Sequence, residues 1–402
     1  MATPNSTLKK PANTSHSLSL TGLRGFMALA IIWHHFFNSN PISLKLFNID
    51  LHFLILFPGR ITVWLFFIIS GYSIYYGFMS HKYNLNLNDS FRFYYNRAIR
   101  VLPLFYLLAL ISWVFFLHIS PTALPSWKNI LRSLFFININ FYDGINAFTP
   151  FWFIGVLVHF YIFAPIFVKG YRYIYENTGL TSTFLLLVIV SPLCQYFGYL
   201  LTGTYDIRNF VGCLPFFLFG FLAYDLHKDA QTWIQKIFKI VPREIIYLSL
   251  IVLLEFSFFM YQYRGSSFFM TKEGLFIKYF GLCWLDGYIG IIGIAMILVL
   301  LNKDALLSMQ TTKALLSLRK IFRTVLEKMG DQSYGLYMWH SIIITVISKE
   351  IVDIGTTVSL SPLSRILFFI AILVITYGVA LVFDQFFGKV YALLYKRKKD
   401  SL

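Results

Sequence analysis

The chain has 402 residues, of which 57% are hydrophobic, 19% are aromatic and only 13% are charged. Soluble globular domains are roughly 45–50% apolar and about 25% charged, so this composition excludes a soluble protein. The formal net charge is +16, but the basic residues lie in short segments between apolar stretches, which excludes a separate nucleic-acid-binding domain. The composition is that of an integral membrane protein.

The apolar stretches predict ten membrane-spanning helices, since about 20 mostly apolar residues are needed to cross a bilayer. The predicted spans are 18–38, 60–79, 98–118, 148–168, 180–200, 207–224, 244–263, 274–301, 333–353 and 364–394. A polar segment, 1–17, precedes the transmembrane domain over 18–394, and a basic segment, 395–402, follows it. The prediction is an all-α fold consisting of a single bundle of about ten transmembrane helices.

The distribution of basic residues predicts the orientation of this bundle. If the N-terminus is cytoplasmic, 23 lysines and arginines lie in cytoplasmic segments and ten in outward segments. This bias follows the positive-inside rule for ten spans with both termini cytoplasmic. The N-terminal end of the first span therefore faces the cytoplasm.

The first span carries Arg24 near one end and His34 and His35 near the other. Eleven residues separate Arg24 from His35, and at about 100° per residue they return to nearly the same face of a helix, whereas His34 points elsewhere. Ionisable groups inside a membrane are costly, which favours a functional site that uses Arg24 and His35. Two structural explanations stay open: Arg24 could extend to the lipid headgroups, and His35 could be a hydrogen-bonded helix-end residue.

Arg97 and Arg100 lie three residues apart at the predicted cytoplasmic end of the third span. They share a helical face, and arginine is suited to bidentate recognition of phosphate. Together with Arg24 they could bind a polyanion such as a nucleotide-bearing cofactor. The alternative is that the pair only anchors the span on the cytoplasmic side.

Other polar or small residues interrupt the later spans. Ser70 and Gly71 form a small pair that would allow close approach of a ligand or of another helix. By depth, Asp286 and His340 are the better candidates for a site, while His159 fits a site or a core hydrogen bond equally well. The three cysteines show no metal-ligand spacing, so no metal site is predicted.

Five motifs in order resemble acyltransferase family 3, a family of integral membrane O-acyltransferases. The matching segments are Arg24 with His35, Phe66 to Tyr72, Arg97 to Pro103, Trp152 with Phe160, Tyr161 and Pro165, and Ser333 to His340. The fourth span departs from the family pattern, because Leu157, Val158 and His159 stand where many members have acidic residues.

The resemblance implies transfer of an acyl group, usually acetyl from acetyl-CoA, to a hydroxyl of a carbohydrate or glycolipid acceptor at a bacterial inner membrane. His35 would be the general base or a transient acyl carrier, because histidine has an ordinary pKa near neutrality. Arg24, Arg97 and Arg100 would bind the phosphates of acyl-CoA. Asp286 is a second catalytic candidate. The predicted substrate-binding residues are Ser70, Gly71, Tyr72, Trp152, Tyr161 and His340.

A transporter or flippase of a polar lipid or small solute is the alternative from another functional class. Buried Arg, His and Asp residues in a ten-span bundle would also suit a relay for transport. The sequence shows no matching pair of helices broken by Gly or Pro in its two halves, which favours the enzyme. The oligomeric state is not predicted.

Overall fold

A computed structural model of the chain describes residues 14–42, 45–46, 49–50, 56–57, 59–119, 127–136, 151–202, 209–229, 288–299, 301, 313–355 and 361–400, with separate residues between 232 and 253. These residues are almost entirely helical. One minimal antiparallel hairpin pairs β1 (Lys45–Leu46) with β2 (Ile49–Asp50). The predicted all-α membrane fold is therefore confirmed at the level of fold class.

The described residues form ten helical elements, numbered in chain order. They are α1 (Thr14–Ser39), α2 (Gly59–Met79), α3 (Leu87–Ile119), α4 (Trp127–Leu134), α5 (Phe151–Thr202), α6 (Phe210–Asp229), α7 (Tyr288–Val299), α8 (Lys313–Asp331), α9 (Ser333–Gly355) and α10 (Pro362–Asp400). In the core of the bundle α1 packs against α2, α8 and α9, and α6 packs against α2 and α5. These contacts bring α1, α2 and α9 together.

Five of the helices in the described part of the chain are long and apolar enough to cross a membrane: α2, α3, α5, α6 and α10. Large apolar side chains remain exposed on them, including Leu363, Leu367 and Val374 of α10. A surface of this kind is expected where lipid replaces water as the solvent. The predicted total of ten spans and the cytoplasmic location of both termini stay predictions.

The helices α3 and α10 extend well beyond the apolar spans predicted for them. The helix α3 begins at Leu87 although the third span was predicted to begin at residue 98, so Arg97 and Arg100 both lie within regular helix. The helix α10 continues to Asp400 through most of the predicted basic segment. Apolar periodicity marks the membrane-embedded part of a helix, whereas the helix itself continues into water as long as its residues favour it.

The element α5 contains two helices joined by a sharp break at Gly179, where φ is 76° and ψ is 178°. A positive φ is strained for residues with a Cβ, and glycine adopts it without that cost. Separate spans were predicted over 148–168 and 180–200, and the break lies at the start of the second one. The first helix of the pair continues ten residues past its predicted apolar end.

The helices α2 and α6 cross with their backbones in close contact. A Cβ added to Gly71 would overlap the backbone of Phe217, and one added to Gly220 would overlap the carbonyl of Ile68. Small residues at such crossings are the usual means of helix association in membranes. Stacked rings extend the contact, as between Trp64 and Phe216.

Candidate active site

A cavity of about 90 Å³ lies between five helices. One helix contributes a single residue to its lining, and each of the other four contributes one face. Its lining residues are Arg24 from α1; Phe66, Ser70, Ser73 and Ile74 from α2; Arg97, Arg100 and Val101 from α3; Phe153, Leu157 and Tyr161 from α5; and Ser333, Tyr334 and Tyr337 from α9. Within a helix these positions are adjacent or three or four residues apart, as expected for a single face. Three predicted cofactor-binding arginines therefore line one space.

Arg24 projects from α1 toward α2, where its Nη2 donates a hydrogen bond of 2.6 Å to the hydroxyl of Ser73. The same hydroxyl donates to the carbonyl of Ile69 at 2.8 Å. Ser73 thus fixes the guanidinium of Arg24 while its own position is fixed by the backbone of α2. Arg24 does not extend along its helix to the headgroups in this arrangement but faces the interior of the bundle.

Arg97 and Arg100 reach the cavity from α3. The guanidinium carbon of Arg97 lies 5.4 Å from the ring centre of Phe93 and 5.3 Å from that of Tyr161, in cation–π geometry. The Nε of Arg97 is buried and has no hydrogen-bond partner in the described part of the chain. Arg100 is exposed, so the cavity reaches the surface of the protein at that end.

Among the residues that the structure describes, no carboxylate forms an ion pair with Arg24, Arg97 or Arg100. Like charges in partly buried surroundings repel one another unless an anion is present. By contrast, Arg92 on the same helix α3 pairs with Asp89 at 3.5 Å. The three cavity arginines are therefore arranged for a negatively charged ligand rather than for internal salt bridges.

His35 lies against α9, where its ring centre is 5.1 Å from that of His340. The ring centre of Tyr337, which lines the cavity, is 5.6 Å from that of His340. The Nδ1 of His340 donates to the carbonyl of Tyr337 at 2.5 Å. His340 thus contacts a lining residue of the arginine-lined cavity, and His35 contacts His340.

His34 has different neighbours from those of His35, as the helical spacing predicts. Its Nδ1 donates to the carbonyl of Phe57 at 2.5 Å, and its ring lies against Gly59 at the start of α2. His159 also has a hydrogen bond within the protein, from its Nδ1 to the carbonyl of Gly155 at 2.7 Å. For His159 this geometry favours the core hydrogen bond over the site.

Of the six predicted substrate-binding residues, Ser70 and Tyr161 line the cavity, and His340 lies next to it. Tyr72 faces α6, where its ring contacts Tyr224 and its hydroxyl is 3.5 Å from His227 Nδ1. Gly71 packs against the backbone of the same helix.

Trp152 contacts the rings of Phe67 and of the lining residue Phe153 but does not itself line the cavity. Asp286 lies outside the described residues. Its predicted catalytic role and the substrate roles of Gly71, Tyr72 and Trp152 therefore stay predictions.

Ser73 and Tyr337 are cavity residues that the sequence analysis did not single out. A signal was present for both, because Ser73 is three residues after Ser70 and Tyr337 is three residues before His340. Residues three apart share a helical face, so each could have been added from its predicted neighbour.

The model of the acyltransferase family 3 domain matches residues 17–384. Among the relatives, YrhL of Bacillus subtilis (strain 168) is 24% identical over 366 residues, which is 84% of this chain and 50% of the relative. Peptidoglycan O-acetyltransferase OatA of Listeria monocytogenes is 22% identical over 353 residues, covering 82% of this chain and 49% of OatA.

O-acetyltransferase OatA of Staphylococcus aureus is 21% identical over 373 residues, covering 86% of this chain and 53% of that protein. The chain spans about half the length of these curated relatives. No solved structure matches it.

Proposed function

The chain belongs to acyltransferase family 3, and from this premise we propose that it is a membrane O-acyltransferase. It transfers an acyl group, most simply acetyl, from acyl-CoA to a hydroxyl of a carbohydrate or lipid-linked sugar. The observation that carries the proposal is the convergence of Arg24, Arg97 and Arg100 on one cavity, with no carboxylate partner among the described residues, beside the histidine pair.

The three arginines bind the phosphates of acyl-CoA on the cytoplasmic side of a bacterial plasma membrane. Acyl-CoA is a polyanion at one end and carries its thioester at the end of a long, thin arm. In the proposed complex the nucleotide end stays at the exposed Arg100, and the arm extends inward along the cavity. This arrangement directs the thioester toward His35 and His340.

His35 serves as the general base or as a transient carrier of the acyl group. As a base it removes the proton from the acceptor hydroxyl while the oxygen attacks the thioester carbonyl. As a carrier it first accepts the acyl group on a ring nitrogen and then gives it to the acceptor. Both routes require an accessible imidazole near the inner end of the cavity, which the position of His35 supports.

The acceptor class follows from the relatives. One of them is named as a peptidoglycan O-acetyltransferase, so a cell-wall glycan or its lipid-linked precursor is the first acceptor to test. Such an acceptor lies on the far side of the bilayer from acyl-CoA. The helix α1 carries Arg24 and His35 about 16 Å apart along its axis, which suits a donor and an acceptor that approach from opposite sides.

The proposal is tested with the purified full chain in lipid nanodiscs, supplied with acetyl-CoA and a lipid-linked or soluble muropeptide acceptor. Release of free CoA and the mass of the acetylated product are measured together. The parent protein should release CoA in step with product. His35→Ala should reduce the rate by at least about a hundredfold, since general acid–base catalysis contributes that much or more.

His34→Ala is the matched control, because the neighbouring residue is the same type but contacts Phe57 instead of α9. This variant should keep most of the parent rate. Equal losses in the two variants would contradict the assignment of His35. A parent protein that moves its solute across the bilayer without releasing CoA would overturn the enzyme and favour the transporter.

A further inference from the structure

His340 is buried, with 1% of its surface exposed, and its two ring nitrogens have different surroundings. The Nδ1 lies 2.5 Å from the carbonyl oxygen of Tyr337, which can only accept, so Nδ1 carries the proton. The Nε2 is buried and has no hydrogen-bond partner among the residues that the structure describes. In a neutral imidazole with Nδ1 protonated, Nε2 has a free lone pair and can only accept a hydrogen bond.

A buried acceptor without a donor is unfavourable, so an unpartnered Nε2 inside a bundle suggests that a donor is supplied at some stage. The ring of His35 is the neighbour that could supply it. Within the described part of the chain, His35 makes ring contacts to His34 and His340 but no hydrogen bond. Its ring nitrogens are therefore available.

The distance permits the interaction. Ring centres 5.1 Å apart place facing nitrogens about 3 Å from each other once the rings are turned toward one another, which is hydrogen-bond range. The ring planes are inclined by 37°. A rotation about the side-chain bonds of His35 would bring one of its ring nitrogens toward Nε2 of His340.

We propose that His340 is a positioning residue for the reaction, whose Nε2 accepts a hydrogen bond from His35 and so fixes its tautomer. This inference rests on the proposed function for its role in catalysis. The resulting chain runs from the Tyr337 carbonyl through His340 to His35, and it leaves the second nitrogen of His35 unprotonated. That nitrogen faces the acceptor hydroxyl. Catalytic bases are commonly oriented by a third group in this way.

These groups account for every proton that moves during the transfer. The acceptor O–H gives its proton to the free nitrogen of His35 as the new C–O bond forms. The C–S bond of the thioester breaks, and the proton passes from His35 to the sulfur of CoA. His340 stays neutral throughout and holds the N–H of His35 while the positive charge is present.

Two substitutions separate the roles of the two nitrogens of His340. Glutamine places its amide group near the position of Nε2, whereas asparagine places its amide near Nδ1 and can keep the bond to Tyr337. If the acceptor at Nε2 matters, His340→Gln should keep a kcat at least about tenfold above that of His340→Asn. The KM for acetyl-CoA should be the same in both variants, since neither change touches the arginines.

His159 provides the matched control, because it also donates from Nδ1 to a helix carbonyl but lies on α5 next to Phe210. His159→Gln and His159→Asn should give the same kcat as each other and as the parent. Equal kcat for His340→Gln and His340→Asn, whether high or low, would overturn the proposal, as would a higher kcat for asparagine.

A measurement without turnover tests the hydrogen bond itself. In protein labelled with ¹⁵N-histidine, the Nε2 signal of His340 is assigned as the one lost in His340→Gln. In His35→Ala the ¹⁵N chemical shift of this signal should move toward the value of a ring nitrogen that accepts no hydrogen bond. An unchanged signal would overturn the pairing even if the parent transfers acetyl groups. A parent that shifts as expected but transfers nothing would leave the pair in place and overturn the catalytic role.

Discussion

Arg97 and Arg100 make separate contacts to the phosphates of acyl-CoA in the proposed complex, so each can be removed alone. A charge-assisted hydrogen bond is worth about 1.5–3 kcal/mol, so Arg97→Ala or Arg100→Ala should weaken acetyl-CoA binding by about tenfold to a hundredfold. Arg97→Lys should recover part of the loss, because lysine keeps the charge but not the planar fork. Calorimetric titration of the purified variants at fixed ionic strength measures these affinities.

Arg92→Ala is the control on the same helix, since Arg92 pairs with Asp89 and donates to the Lys82 carbonyl outside the cavity. Its acetyl-CoA affinity should equal that of the parent. If Arg97→Ala and Arg100→Ala also bind like the parent, the two arginines serve only to anchor α3, and the donor site lies elsewhere.

Ser73 offers a second test of the donor site, because its hydroxyl accepts the hydrogen bond from Arg24. Ser73→Ala removes that hydrogen bond and leaves the charge of Arg24 in place. The affinity for acetyl-CoA should fall by about threefold to tenfold, less than in Arg24→Ala. Ser80→Ala is the control, since the Ser80 hydroxyl contacts only the Gly77 carbonyl. Equal binding by Ser73→Ala and the parent would contradict a positioning role.

Residue spacing alone predicted part of this site. The shared face of Arg24 and His35, and that of Arg97 and Arg100, follow from the helical repeat and need no knowledge of neighbouring helices. The pairing of His35 with His340 could not be derived in this way, because it joins residues about 300 positions apart through the packing of α1 on α9. Spacing gives the face of a helix but not the helix that covers it.

At the scale of elements, the crossing of α2 and α6 depends on Gly71 and Gly220. Gly71→Ala would force the added methyl group against the backbone of Phe217, which cannot move without shifting α6. Overpacking of this kind costs about 1–3 kcal/mol, so the midpoint of thermal unfolding in detergent should fall by several degrees. Gly71 is also a predicted substrate-binding residue. The effect of the substitution on unfolding should therefore be measured separately from its effect on acyl transfer.

Gly77→Ala on the same helix is the matched control, because its nearest neighbour is the Tyr83 side chain at 3.5 Å, an ordinary contact. It should unfold at the temperature of the parent or slightly above, since alanine favours helix. A Gly71→Ala protein that keeps its unfolding temperature but loses acyl transfer would indicate contact with substrate instead of packing.

The elements were predictable where apolar runs are long and uninterrupted. The run that gives α6 is one case, and its helix begins within a few residues of the predicted start. The extension of α3 to Leu87 was not predicted, because its first two turns are polar and an apolar window cannot detect them. The break at Gly179 is a change of backbone dihedral angles at a single residue. Hydropathy is averaged over a whole span and therefore cannot detect it.

Across the whole molecule, large apolar side chains are exposed on α5 and α10, where lipid is expected. Arg24 of α1 and Arg97 and Arg100 of α3 instead line one cavity that reaches the surface at Arg100. A charged donor can therefore enter the bundle without contact with lipid. This arrangement fits a reaction that joins substrates from two sides of a membrane, and it makes the orientation of the bundle the property to measure next.

The helix α9 provides the clearest test of orientation, because its 23 residues span about 35 Å at 1.5 Å per residue, enough to cross a hydrocarbon core of about 30 Å. The basic helix α8 precedes it and Ser361 follows it. The positive-inside rule places α8 in the cytoplasm and Ser361 outside.

Single cysteines are introduced as Lys320→Cys and Ser361→Cys, both at exposed positions, after Cys194, Cys213 and Cys283 are replaced by alanine. In intact cells a membrane-impermeant maleimide should label only Ser361→Cys, and after permeabilisation it should label both. The reverse pattern would invert the bundle and move the arginine-lined cavity away from cytoplasmic acyl-CoA, while labelling of both sites in intact cells would contradict a single crossing by α9.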